Sequence, residues 1–155
     1  MNRMSADLIT QDELIEELNG LMAEELEASL RYFALSIMVV QPTEAFSELL
    51  REVVGETMEH AGWVAKEIRE LGGEPKINVK LSSTAVPMTT EEAVAEILIV
   101  ETAALECYKD LLGRCSHFDE SSGVKRFLAK QVEEEEHHVS EFRDLCHGLG
   151  IDPDA

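Results

Sequence analysis

Six consecutive residues hold the densest chemistry in the sequence, Glu133-Glu134-Glu135-Glu136-His137-His138. They lie in a stretch where Val124, Leu128, Val132, Glu135, His138, Val139, Phe142 and Leu145 recur at steps of three and four. On a helix, that spacing puts Glu135 and His138 on the apolar stripe, one turn apart and facing inward. A carboxylate and an imidazole buried together need a partner, because an unpaired buried charge is costly. They either bind a cation or are neutralised by other side chains. Carboxylate oxygen and imidazole nitrogen together suit divalent iron, manganese or zinc.

Candidate partners stand at inward positions of three other helical patterns: Glu25, His60 and Glu101. Glu25 and His60 are separated by a turn near Pro42, Glu101 and His138 by a turn near Glu120, at nearly equal intervals. The members of each pair therefore meet at one height. Tyr32 and Tyr108 each follow a Glu by two helical turns on the same face. The sequence reads as a weak internal repeat of two hairpins, each giving Glu from its first helix and a His-bearing turn from its second.

The elements that must position these residues are four helices, expected over about 11–41, 43–72, 90–115 and 123–148. Met1 to Thr10 reads as a loose arm. Pro42 stops the first helix, Thr43 and Thr90 open the second and third, and Gly72-Gly73 ends the second. Gly73 to Thr89, with Pro75 and Pro87, has no helical period. Extended, it spans about 55 Å, more than the roughly 40 Å of such a helix, so it can return the chain to the other end of a bundle. The expected fold is all-α, a single-domain four-helix bundle with a long crossover between helices two and three.

A Glu on each of two helices, with a Glu and His turn on the others, resembles the di-iron carboxylate pattern of ferritin-like bundles. Leu18-Asn19, Glu24-Glu25-Leu26 with Tyr32-Phe33, Met58-Glu59-His60-Ala61 and Glu135-Glu136-His137-His138 resemble strings of the bacterioferritin, Dps-like and rubrerythrin branches. The resemblance runs from about Leu14 to Leu149. It implies a di-iron centre with Glu25 and Glu101 as terminal or bridging ligands, Glu135 as a bridging carboxylate and His60 and His138 as nitrogen ligands. Tyr32 and Tyr108 would donate hydrogen bonds to the ligands. Met58 resembles the haem-ligating Met of bacterioferritins, with haem less favoured than iron.

The sequence departs from the pattern in helix two. Three residues before His60, where the family has its other bridging Glu, stands Thr57. Glu56, one residue earlier, lies about 40° from the His60 direction and is expected to reach a metal near His60 with altered geometry.

The resemblance implies Fe(II) oxidation with oxygen or peroxide, and iron storage in a cage of identical subunits. A dodecamer is favoured over a 24-mer because no fifth helix follows Gly148. The alternatives are a rubrerythrin-like peroxide reductase with a separate electron donor, since no C-x-x-C pair is present, and a bundle with a degenerate centre acting structurally.

With 32 acidic and 13 basic residues, the net charge of −19 favours cations and disfavours nucleic acid and anionic membranes. The longest uncharged apolar run, Tyr32 to Val40, is too short for a bilayer, and no signal-like segment opens the chain, which reads as cytoplasmic. Cys107, Cys115 and Cys146 lack ligand or disulfide spacing. Trp63 and Met22 read as packing residues, and His117, His137 and His147 receive no role.

Overall fold

The computed structural model describes residues 8–80 and 86–154. Among them run four helices, α1 (Gln11–Met38), α2 (Glu44–Glu70), α3 (Thr90–Arg114) and α4 (Gly123–Gly148). Each begins at a hydroxyl. Thr10, Thr43, Thr89 and Ser122 accept hydrogen bonds from the backbone N–H three residues on, satisfying donors that the first helical turn leaves free. Acidic residues in the first turns of α1, α2 and α3 add a favourable interaction with the helix dipole.

The first helix stops three residues before its expected end at position 41. Val40 N–H donates to the Met88 carbonyl at 3.0 Å and Met88 N–H to that of Met38 at 3.2 Å, so the chain after Met38 pairs with the end of the crossover. The expected loose arm also needs correction. Residues 1–7 lie outside the described residues, but Ile9 is buried and its N–H donates to the Arg114 carbonyl at 3.1 Å. That contact ties the start of α1 to the end of α3.

The crossover lies along α1. The Asn19 side chain donates to Glu74 O and accepts from Lys76 N–H, Glu27 accepts from Lys80 N–H, and Met88 meets the far end of the helix. Residues 81–85 lie outside the described residues. This path carries the chain back to the end where α2 began, so α2 and α3 run parallel and the fold is the long-crossover four-helix bundle. Gly72 launches the crossover with φ +84°, a conformation that side chains with a Cβ resist. At Gly73 a Cβ would sit 2.6 Å from Ile15 Cγ2, too close to keep the crossover against α1.

The core is split by a polar layer. One apolar cluster, with Leu14, Leu18, Val64, Ile68, Leu111 and Leu128, fills the end of the bundle where α1 starts. A second, with Leu35, Phe46, Leu50, Val53, Ile97 and Phe142, fills the other. Each such buried side chain contributes about 1.5–3 kcal/mol through the hydrophobic effect. That gain offsets the cost of the buried polar residues between the clusters, among them Glu25, Thr57, His60, Glu101, Gln131, Glu135 and His138.

Candidate metal centre

All four helices contribute to the polar layer, and the periodic stripe that buries Leu and Val also carries the ligating residue types inward. Ligand atoms of Glu25, His60 and Glu135 come within 4.8 Å of one another, as do those of Glu101, Glu135 and His138. Glu135 belongs to both groups. Its Oε1 lies 3.5 Å from His60 Nδ1, and its Oε2 lies 3.9 Å from His138 Nδ1. Glu25 Oε2 is 3.8 Å from His60 Nδ1, and Glu101 Oε2 is 3.5 Å from His138 Nδ1. The two imidazoles are nearly parallel, with centroids 5.6 Å apart.

The tyrosines cross between the hairpins. Tyr108 of α3 donates to Glu25 Oε1 of α1 at 2.8 Å, and Tyr32 of α1 donates to Glu101 Oε1 of α3 at 2.8 Å. In each Glu one oxygen is held and the other faces a His.

Among the described residues, His60 Nδ1, His138 Nδ1 and Glu135 Oε2 are buried without a hydrogen-bond partner. Buried polar atoms are nearly always paired, and three unpaired in one layer, all of ligating type, fit a cation that would pair them together. Gln131, one turn before Glu135, is fully buried with an unpaired amide. Its spacing of four before Glu135 placed it on the inward stripe, but sequence reading gave that turn to Val132, which is only half-buried.

Burial raises the Glu25 carboxyl to about 8, despite the hydrogen bond from Tyr108, with the Glu101 charge adding to the rise. Burial raises Glu135 as well, joined by its carboxyl neighbours Glu101 and Glu25. At His138 burial acts to lower the value, but contacts with Glu101 and Glu56 outweigh it and raise the imidazole to about 9. Glu101 is lowered overall, because contacts with His138 and Glu135 overcome burial. His60 is lowered by burial and by the nearby His138 charge. Without a cation, the layer therefore approaches neutrality by keeping protons on carboxyls.

Thr57 is buried at the helix-two position where the family pattern has a carboxylate, and its hydroxyl donates to the Val53 carbonyl at 2.6 Å, within its own helix. Among the described residues it makes no hydrogen bond to the carboxylates or imidazoles of the layer. Glu56, expected to reach a metal near His60, has its carboxylate beside the other imidazole. From its place one turn before His60 it reaches across to α4, where its Oε2 is hydrogen-bonded to His138 Nε2. Ligand atoms of Glu56, Glu134 and His138 form a third, partly exposed group within 4.8 Å of one another. Sequence spacing gave the direction of Glu56 on its own helix but not which neighbouring helix it would meet.

Met58 is 45 % exposed, two residues from His60 and so on the opposite side of α2. His137 is exposed and pairs with Glu141 at 2.7 Å. Trp63, read as a packing residue, lies beside the His60 ring at 5.2 Å between centroids, with Lys130 Nζ over the indole at 4.6 Å from its centroid. All three cysteines are free. A cavity of about 390 Å³ between α1 and α3 is lined by Leu21, Ala28, Ile99 and Cys107 and reaches Glu25, Thr57, Glu101 and Glu135.

This bundle and its layer of carboxylates and imidazoles define the ferritin-like class, and the chain belongs to the ferritin family, matching its ferritin-like domain over residues 15–149. Similar folds occur in a bacterioferritin-related dodecameric thioferritin of Bacteroides fragilis (21% identity, TM-score 0.80, covering 92% of this chain and 89% of that one). They also occur in a ferritin-like di-iron carboxylate protein of Bacillus anthracis (20%, 0.76, 87% and 96%). The bacterioferritin of Desulfovibrio desulfuricans, described with a di-iron site, is 25% identical with TM-score 0.70, covering 90% of this chain and 83% of that one. No curated protein sequence matches significantly. Among the described residues, no helix is long and apolar enough to cross a membrane.

Proposed function

We propose that the chain binds ferrous iron as its substrate in the polar layer, oxidises it with oxygen or peroxide, and stores the ferric product within a closed assembly of identical copies. The observation that carries this reading is the convergence of three unpaired buried donor atoms, His60 Nδ1, His138 Nδ1 and Glu135 Oε2. Two ferrous ions bound together supply two electrons, enough to reduce oxygen to peroxide or peroxide to water.

The chain's own residues bind and orient. Glu25 with His60 serves one position, Glu101 with His138 the other, and Glu135 is shared between them. Tyr108 and Tyr32 hold the outer oxygens of Glu25 and Glu101, so that each carboxylate presents its free oxygen at a fixed angle. Cation binding displaces the protons that burial keeps on Glu25 and Glu135. The α1–α3 cavity gives small reactants a path to the carboxylates.

Thr57 favours a second reading, in which only one position is filled. A single shared carboxylate leaves the pair of positions less negative than two would, and the weaker position can stay empty at working concentrations.

The assembly part of the proposal draws on the dodecameric thioferritin and on the net charge of −19, which would make copies repel unless cations gather inside. Light scattering coupled to size exclusion, with iron counted per chain, tests it. Twelve copies retaining iron in excess of two ions per chain is the expected result. A dimer under every salt and iron condition would remove storage from the account.

A further inference from the structure

Glu56 is an acidic side chain next to the centre for which the proposed function has no use. It is about one-third exposed, and its Oε2 is hydrogen-bonded to Nε2 of the fully buried His138. A carboxylate oxygen at a ring N–H accepts, so Nε2 carries a proton held by Glu56, and Nδ1 is the ring atom left to ligate once a cation displaces any proton there. That nitrogen faces Glu101 Oε2 at 3.5 Å and Glu135 Oε2 at 3.9 Å and has no hydrogen bond among the described residues.

The internal repeat makes this contact informative. Glu56 precedes His60 by four residues, and Glu134 precedes His138 by four. If the two hairpins supported each other equally, Glu134 would hold His60 as Glu56 holds His138, just as the two tyrosines exchange matching bonds. That fourth link is missing. No hydrogen bond to the His60 ring occurs among the described residues, and the indole of Trp63 lies beside it instead. One imidazole is fixed by a carboxylate at its outer edge, and the other is not.

We propose that Glu56 is a positioning residue for His138, fixing its tautomer and ring angle, and that it thereby makes the Glu101, Glu135 and His138 position fill before the Glu25, Glu135 and His60 position. This rests on the reading that the layer binds divalent cations. Glu56 acts through the ring rather than as a ligand, since its oxygen occupies the edge of the imidazole turned away from the centre.

The test is calorimetric titration of the metal-free protein with Zn(II), for the unaltered chain, Glu56→Ala, Glu56→Gln and the exposed charge control Glu133→Gln. In Glu56→Ala the tighter of two affinities should fall by about 10- to 100-fold, the usual effect of removing a ligand's outer partner, while the weaker stays within about twofold. Glu56→Gln should recover most of the loss, because its amide oxygen still accepts from Nε2–H. In the zinc-loaded unaltered protein, nitrogen NMR of the imidazoles should show His138 metal-bound at Nδ1 and protonated at Nε2. That readout stands even if a variant fails to fold.

An unchanged tight affinity in Glu56→Ala, equal losses in the Ala and Gln variants, or zinc on Nε2 of His138 would each overturn the positioning role while leaving cation binding intact. No uptake of zinc by the unaltered chain would overturn both this inference and the function on which it rests.

Discussion

The phenol of Tyr108 donates a 2.8 Å hydrogen bond to Oε1 of Glu25, joining the third helix to the first at the level of the candidate centre. Tyr32 repeats the bond in the opposite sense to Glu101. The tyrosine of each hairpin thus orients the carboxylate of the other, and docking of the hairpins and assembly of the centre become one event.

Removing one of these phenols should cost stability and site order together. Tyr108→Phe leaves the ring packed but deprives Glu25 Oε1 of its donor, so the metal-free protein should lose about 1–2 kcal/mol. Urea unfolding of parent and variant measures it. An equal midpoint would mean that the bond contributes nothing.

The metal-free protein should become less stable as pH rises from 6.5 to 8. Glu25 is raised to about 8 and Glu135 is raised too, chiefly by burial, so their stabilising contribution is fully present below the ordinary carboxyl range and lost as pH climbs through the folded values. His138, raised to about 9 by Glu101 and Glu56 against the effect of burial, adds a loss between 6.5 and 9. Glu101 and His60, both lowered, act in the opposite sense, with losses as pH falls below about 4.5 and 6.5. The melting temperature should therefore drop by on the order of 5 °C between pH 6.5 and 8, at about 2–4 °C per kcal/mol for this chain length. Zinc should reverse the sign, because the cation displaces those protons. A metal-free melting temperature that rises over that interval contradicts this balance.

Much of this arrangement was legible in the sequence because inward polar residues break an otherwise apolar period. Leu14, Leu18, Leu21 and Leu35 set the phase of the first helix, and Glu25 falls on it; the same holds for His60, Glu101, Glu135 and His138. The crossover was legible from Pro75, Pro87 and the absence of period. What spacing along one helix does not contain is the partner across the bundle. The turn of Glu56 toward His138, the burial of Ile9 against the third helix and the end of the first helix at Met38 all depend on long-range contacts. Gln131 was hidden by a choice between adjacent residues on a half-buried flank.

Restoring a carboxylate at position 57 should strengthen the weaker cation position. Thr57→Glu places a further acidic group beside the cavity that already reaches Glu25, Glu101 and Glu135, where Thr57 now bonds only its own helix. Zinc titration should show the weaker affinity rising by about tenfold or more, equivalent to about 1.4 kcal/mol. Two equally tight positions in the parent, with no gain in the variant, would show that the missing carboxylate is already compensated.

Glu135 tests the central claim most directly, because the two fully buried groups of ligating atoms share it. The measurement is the initial rate of Fe(II) oxidation, followed by the absorbance of the ferric product, in the unaltered protein and in Glu135→Ala at equal concentration. Loss of the shared carboxylate should lower the rate by about 100-fold, as expected when about 2.7 kcal/mol of stabilisation is removed. Equal rates in the two proteins would place iron oxidation, if it occurs, outside this layer and contradict the account.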